Sequence, residues 1–412
     1  MKDHGFKFLL MSRIFRSMAL IFMTLASPIY LNDINLTLVQ IGIIYVGVML
    51  FTAFLSISLG ALGDRKGFKK ALILGDIPPI LGALLLSLTG NTVLIIIGVI
   101  IAGLSGVAGG MRGAFSPGMI AFTARNYPDN KVRVKKFSIL VQSASAASIV
   151  GALLLVSQFY ISTYTGTILS FRVLFGLSAV LTTLSLVSLF FLEEVNITKK
   201  STKIMKKESI NYTIKISILN ILNGSALGLS LPLLPLFFAI AFKFQSTSTA
   251  FYIGIIYLPS YLMTILGSSL SKKYSDRINI INTAKATRVL NGVLFLLMGI
   301  IFTMQYYSIL VFLPLLLFAA ALYSARSLVA GFGSASISTI SMSGLNKEDY
   351  GTATSIQGLA SSLSQSSSGI SGYLADYLFP LPMLIGGALQ ISAGILYPIF
   401  IKNNRKINKN KK

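Results

Sequence analysis

The chain has 412 residues, 54% of them hydrophobic and only 11% charged, and its mean hydropathy of +0.77 lies outside the range of soluble globular domains. A formal charge of +23 would point to nucleic acid only if the basic residues formed one patch, and they are spread along the chain. The absence of cysteine excludes disulfides and thiolate metal sites.

A hydrocarbon core about 30 Å thick needs roughly 20 apolar residues of helix, and windows of that kind recur from Phe8 to Ile401. In chain order the expected spans are 8–31, 38–62, 71–88, 92–117, 137–160, 167–192, 212–242, 249–270, 282–304, 307–333, 350–378 and 382–401. They are read as helices, since each must satisfy its own backbone in lipid and the alternating ten-residue strands of a barrel are absent. The first stretch is interrupted by Arg13 and Arg16 and is expected to stay in place rather than be cleaved as a signal peptide. Kinks at Pro28, Pro232, Pro235 and Pro314, together with tilt or protrusion, are expected to absorb the length of the longer spans.

The connections divide sharply by charge. Apart from Arg112, Arg172, Lys243 and Arg326, every Lys and Arg falls in the N-terminal segment, in alternate loops with their flanking turns, or in the last residues. By the positive-inside rule those loops face the cytoplasm, which puts both termini there and makes the number of spans even. The other connections, 32–37, 89–91 and 161–166, are too short to hold an external domain. The expected layout is an N-terminal six-helix bundle over 1–192, a basic cytoplasmic linker over 193–211, a C-terminal bundle over 212–402 and a basic tail over 403–412. The linker carries Lys199, Lys200, Lys203, Lys206 and Lys207 and reads as a solvated tether that can rest on anionic lipid.

The two halves carry matching residues. Asp64-Arg65 returns as Asp276-Arg277, Arg112 as Arg326 and Gln142 as Gln357, at offsets that drift from 212 to 215. A slow drift in the same order is what duplication with small insertions produces.

Between the second and third spans stands Gly60-Ala61-Leu62-Gly63-Asp64-Arg65-Lys66-Gly67-Phe68-Lys69-Lys70, and a worn copy runs from Gly267 to Asp276-Arg277. Glycines at a helix end admit a second helix, and a carboxylate there complements the N-terminus of an arriving helix. The segment closely resembles the cytoplasmic signature of the major facilitator superfamily, and with twelve spans and a central basic linker the resemblance covers essentially the whole chain. It implies an all-helical membrane fold of twelve helices in two pseudo-symmetric six-helix bundles. It also implies that Gly60, Gly63, Asp64, Arg65, Gly67, Lys69, Asp276 and Arg277 form gating motifs, with Asp64 facing the start of the eleventh span near Tyr350 and Asp276 that of the fifth near Phe137.

Carriers of this family rock their halves about a site near the midplane, which the resemblance places among spans one, four, seven and ten. The pathway candidates are Thr24, Ser27, Arg112, Asn223, Ser230, Tyr323 and Arg326, joined by Gln142 and Gln357 from the fifth and eleventh spans. Inward polarity serves helix packing as well as solute binding. Arginine at membrane depth costs about 2.5–3.5 kcal/mol on insertion scales unless paired or watered, so Arg112 and Arg326 each need a partner. One reading makes them a pseudo-symmetric pair for an anionic solute; the favoured one pairs Arg112 with Asp76, at similar depth in the third span. The fifth span lacks the Gly-Pro run of many drug antiporters in the family, and no carboxylate sits at midplane, which leaves Asp76 and Asp33 as the candidates for ion coupling.

Gly106 and Gly110 follow helix-packing spacing, no Walker-type loop is present, and Asn35-Leu36-Thr37 lies too close to the membrane to favour glycosylation. The reading is therefore a secondary transporter for a small organic solute, a permease or efflux carrier of the cell (plasma) membrane, monomeric, with a proton or other ion as possible driver and no cofactor. Its rivals are an organic-anion symporter using Arg112 and Arg326 and, from another class, a membrane-embedded enzyme or channel; an enzyme would need a nucleophile, an acid/base pair or a metal cluster within the membrane.

Overall fold

The computed structural model describes residues 5–104, 119, 122–123, 126, 130–194, 205–274, 279–307, 312–345 and 350–402. Among the described residues, ten helices are long and apolar enough to cross a membrane. The fourth span, Thr92–Ala102, and the eleventh, Tyr350–Ser364 continued by Ser368–Tyr377, are the other two of the twelve.

The remaining spans are Phe6–Asp33, Leu38–Lys66, Phe68–Leu88, Asn130–Thr165, Thr167–Phe190, Lys207–Ser230 with Leu234–Ala241, Ser246–Lys273, Ile280–Tyr306, Phe312–Ser343 and Leu381–Lys402. Their ends follow local chemistry. Thr37 opens the second span with a reciprocal capping box, its hydroxyl accepting from Gln40 N at 3.3 Å while Gln40 Oε1 accepts from Thr37 N at 2.9 Å. Asn91 and Asn279 cap the fourth and ninth spans through their side-chain oxygens. Gly67, at φ 97°, separates the second span from the third, a conformation that strains any residue with a Cβ.

Several spans depart from expectation. The fifth and tenth extend well beyond the hydropathy windows, as Asn130–Thr165 and Phe312–Ser343, because a helix persists into water once its apolar middle is anchored. The seventh breaks at residues 231–233, where Pro232 and Pro235 interrupt the backbone ladder. Pro28 lies within a continuous helix. The eleventh tightens to a 3-10 turn at Gln365–Ser367 without any proline. The fourth is helical only to Ala102 among the described residues, with Gly103 at φ 64°; Arg112 and residues 105–118 lie outside them.

The first span begins and the twelfth ends on one face, the terminal face; the short turns at 34–37, 89–91 and 166 lie on the other, the turn face. The apolar core differs between them. One continuous buried cluster joins the bundles toward the turn face, running from Phe22, Tyr30 and Phe171 to Phe237, Phe302 and Met383. Toward the terminal face each bundle has its own: Phe6, Phe68, Leu140 and Leu189 in one, Tyr212, Ile216, Ile340 and Tyr397 in the other.

Candidate functional site

Two seams hold the bundles together, the second span against the eleventh and the fifth against the eighth. Glycine permits both approaches: a Cβ on Gly42 would stand 2.7 Å from the Ser368 carbonyl oxygen, and one on Gly254 would stand 2.9 Å from that of Ala152. Phe251 closes the second seam near the turn face, 5.4 Å from Phe159 and 6.3 Å from Tyr160. There too Ser246 donates to Asp33 Oδ1 at 2.9 Å across the bundles, while Asp33 Oδ2 is buried without a hydrogen-bond partner among the described residues. Asp33, expected as a coupling residue, thus sits at the joint between the bundles.

The motif glycines lie on the terminal side. Gly60 brings the second span to the eleventh, where a Cβ would meet Ser355 Oγ at 3.2 Å, and Gly63 packs on the ring of Phe68. Lys69 Nζ donates to the Phe190 carbonyl oxygen at 2.7 Å, tying the third span to the sixth within one bundle. Glu194 caps that third span, its two oxygens accepting from Phe68 N and Lys69 N at 2.9 Å each. The side chains of Asp64 and Arg65, and the whole of Asp276 and Arg277, lie outside the described residues.

Of the pathway candidates, Ser27 shares a hydrogen bond of 2.9 Å with the Tyr45 hydroxyl, and Thr24 is half-buried one turn away. Gln142 Nε2 reaches Ser269 Oγ at 3.5 Å, across the seam between fifth and eighth spans. Gln357 Nε2 donates to the Ser341 carbonyl oxygen at 3.3 Å, and the carbonyl of Gln357 accepts from Asn220 Nδ2 at 3.4 Å. Both glutamines therefore bond neighbouring helices. Ser230 is fully buried, with its hydroxyl unpartnered among the described residues.

Among the described residues, Asp76 has partners on the first and sixth spans. Asp76 Oδ1 is held by Arg16 Nη1 of the first span, and its Oδ2 accepts from Ser185 Oγ of the sixth at 2.6 Å. Ser185 in turn meets Ser12 Oγ at 2.9 Å. The expected pairing with Arg112 lies outside the described residues. Arg13 and Arg16, grouped in sequence with the cytoplasmic N-terminus, are 1% and 3% exposed inside the first span. The helix explains why: Arg16 stands ten residues beyond Phe6 and Asp76 eight beyond Phe68, depths of about 15 and 12 Å at 1.5 Å per residue.

The C-terminal bundle has its own polar group on the equivalent spans seven, nine and twelve. Arg288 Nη1 donates to Asn223 Oδ1, and Gln390 Nε2 reaches the same oxygen at 3.3 Å. Arg288 follows Asp76 by the same 212 residues that separate the two Asp-Arg motifs. Arg326 lies over the Phe295 ring at 4.4 Å and near that of Tyr323 at 6.0 Å. Tyr323 itself packs 4.7 Å from Tyr257. Arg13, Arg16, Arg288 and Gln390 were not singled out from sequence; equal depth on duplicated spans is the signal that would have found them.

Comparison with known proteins agrees with this architecture. The sequence model described as the Major Facilitator Superfamily matches residues 9–369. No curated protein matches the chain. Among solved structures, the chain is similar to a POT family transporter in complex with 5-aminolevulinic acid, with TM-score 0.74 and 16% identity over 98% of this chain and 97% of that one. It is also similar to the POT family transporter PepTSo, with TM-score 0.72 and 12% identity over 98% and 99%. A point mutant of the nucleoside transporter NupG gives TM-score 0.67 and 12% identity over 97% and 100%. With a family match over most of its length and two six-helix bundles joined at glycine-lined seams, the chain belongs to the major facilitator superfamily, the secondary transporters of small solutes.

Proposed function

We propose that this multi-pass membrane protein carries a small organic solute between its bundles by alternating access, as a monomeric permease or efflux carrier of the cell membrane and not as an enzyme. The observation that carries the reading is the uneven core. One apolar cluster seals the bundles together toward the turn face, whereas the terminal face has a separate cluster for each bundle. Two bodies that share an apolar core on one side and meet on the other only along the second–eleventh and fifth–eighth seams can exchange the closed side without repacking either core. The basic loops support a cytoplasmic terminal face, which makes the described conformation closed to the outside. The motif glycines at Gly60 and Gly63, with Asp64, Arg65, Gly67, Lys69, Asp276 and Arg277, are proposed to work the opposite closure.

The similar transporters are described with 5-aminolevulinic acid, with a conjugated peptide and as a nucleoside carrier, which supports a small polar organic molecule as the solute class. The test is counterflow in proteoliposomes. Uptake of labelled solute is expected to saturate and to accelerate when unlabelled solute is loaded inside. Uptake that rises linearly with concentration would indicate a channel, and conversion of the solute would indicate an enzyme. Of the coupling candidates, Asp33 has an oxygen without a hydrogen-bond partner among the described residues, at the joint between bundles, whereas both oxygens of Asp76 are engaged. Asp33→Asn is accordingly expected to abolish stimulation by a proton gradient while counterflow persists.

A further inference from the structure

The ninth span is helical from Ile280, so Arg288, Asn291 and Phe295, at spacings of three and four, share one face. Two guanidinium groups converge on that face. Arg288 is bound to the neutral amide oxygen of Asn223, and Arg326, 6% exposed, rests on the ring of Phe295. They belong to the ninth and tenth spans, which pack against each other in the same bundle.

Neither has a carboxylate partner among the described residues, where the single ion pair is that of Arg16 with Asp76. Arginine offers five N–H donors and stays charged, yet Nε of Arg288 and Nε of Arg326 are both buried without a hydrogen-bond partner among the described residues. The amide oxygens Asn291 Oδ1 and Gln390 Oε1 are likewise buried and unpartnered there. Two like charges and four unmet polar atoms within a bundle are costly unless another molecule answers them.

We propose that Arg288 and Arg326, with Asn223 and Gln390, form an anion subsite in the C-terminal bundle that takes the carboxylate of a small organic acid. A planar carboxylate matches the guanidinium fork and accepts from both cations. A hydroxyl or amine on the same molecule meets the free amide oxygens, and the rings of Phe295 and Tyr323 receive its carbon body. This deepens the carrier reading and rests on it: Arg326 belongs to the tenth span and Asn223 to the seventh, both expected to line the pathway.

The experiment is thermal unfolding of the purified full-length protein with lactate, succinate and benzoate, each set against its neutral amide, and with inorganic phosphate and chloride. At least one acid is expected to raise the unfolding temperature while its amide does not, and phosphate and chloride are expected to do less. In Arg326→Gln the acid concentration giving half the shift is expected to rise about tenfold to a hundredfold, the size of a lost hydrogen bond to a charged group. Arg326→Lys, which keeps the charge but loses the fork, should fall between, and Arg172→Gln, at the turn-face end of the sixth span, should respond as the wild type does.

Acids that stabilise no better than their amides, or no better than phosphate and chloride, would overturn the subsite, as would an Arg326→Gln protein that responds like wild type. Should Arg326→Gln not fold, the wild-type contrast and the lysine variant decide. Counterflow of a neutral or cationic solute without any acid response would sink the subsite and leave the carrier standing; absence of counterflow for every solute would sink the carrier.

Discussion

In the N-terminal bundle Arg16, Asp76 and Ser185 join spans one, three and six, and both carboxylate oxygens are engaged. On the equivalent spans of the C-terminal bundle, Asn223, Arg288 and Gln390 make the corresponding junction with the acidic residue replaced by arginine. Arg326 adds a second cation against aromatic rings. A buried ion pair with both carboxylate oxygens engaged is a fixture, because removing the carboxylate takes away the opposite charge that a buried cation was paired with. A buried cation held by a neutral amide and a ring face leaves its charge unanswered, so it is available to something that arrives. The duplicated bundles have thus put the same three helices to different uses, one to hold the bundle together and one to receive.

The comparison can be broken most forcefully at Asp76. Asp76→Asn removes the carboxylate that Arg16 meets deep inside the first bundle and is expected to cost about 3–5 kcal/mol, seen as a large fall in unfolding temperature and in yield. Combining it with Arg16→Gln should restore part of the loss, and a purely additive double mutant would argue against the pair. Ser185→Ala removes the donor to Asp76 Oδ2 and should cost about 1–3 kcal/mol, the penalty of leaving a buried charged acceptor unmet. Arg326→Met sharpens the contrast from the other side. It strands no carboxylate and is expected to be neutral or stabilising by about 1 kcal/mol, while the response to organic acids is lost. A collapse of stability in that variant comparable to Asp76→Asn would mean that Arg326 is a fixture too.

Much of the architecture is legible in the amino-acid sequence because lipid leaves the backbone few choices. Apolar windows locate the helices, and the Asp-Arg repeat with its 212-residue offset exposes the duplication. The polar junctions are harder. Arg13 and Arg16 read as an extension of the basic N-terminus, since charge counting along the chain does not register that the helix begins at Phe6 and carries them inward. Arg288 reads as part of a basic loop for the same reason, although the ninth span starts at Ile280. Sequence directs Asp76 to the fourth span because Arg112 is the conspicuous intramembrane cation; the contacts of Asp76 with the first and sixth spans are a matter of packing that spacing within one helix does not encode. The 3-10 turn at Gln365–Ser367 has no proline to announce it and arises in a serine-rich stretch packed against Gly228, where helix geometry yields to a close approach.

The most direct test of the carrier account uses the natural absence of cysteine. Spin labels on cysteines introduced at Asn32 and Thr247 report the turn face, and labels at Lys66 and Lys272 report the terminal face, each pair bridging the two bundles. With a transported solute and an imposed gradient, the account predicts two populations for each pair, the turn-face distance lengthening as the terminal-face distance shortens. Distances that stay fixed under all conditions, or that lengthen together on both faces, would contradict it.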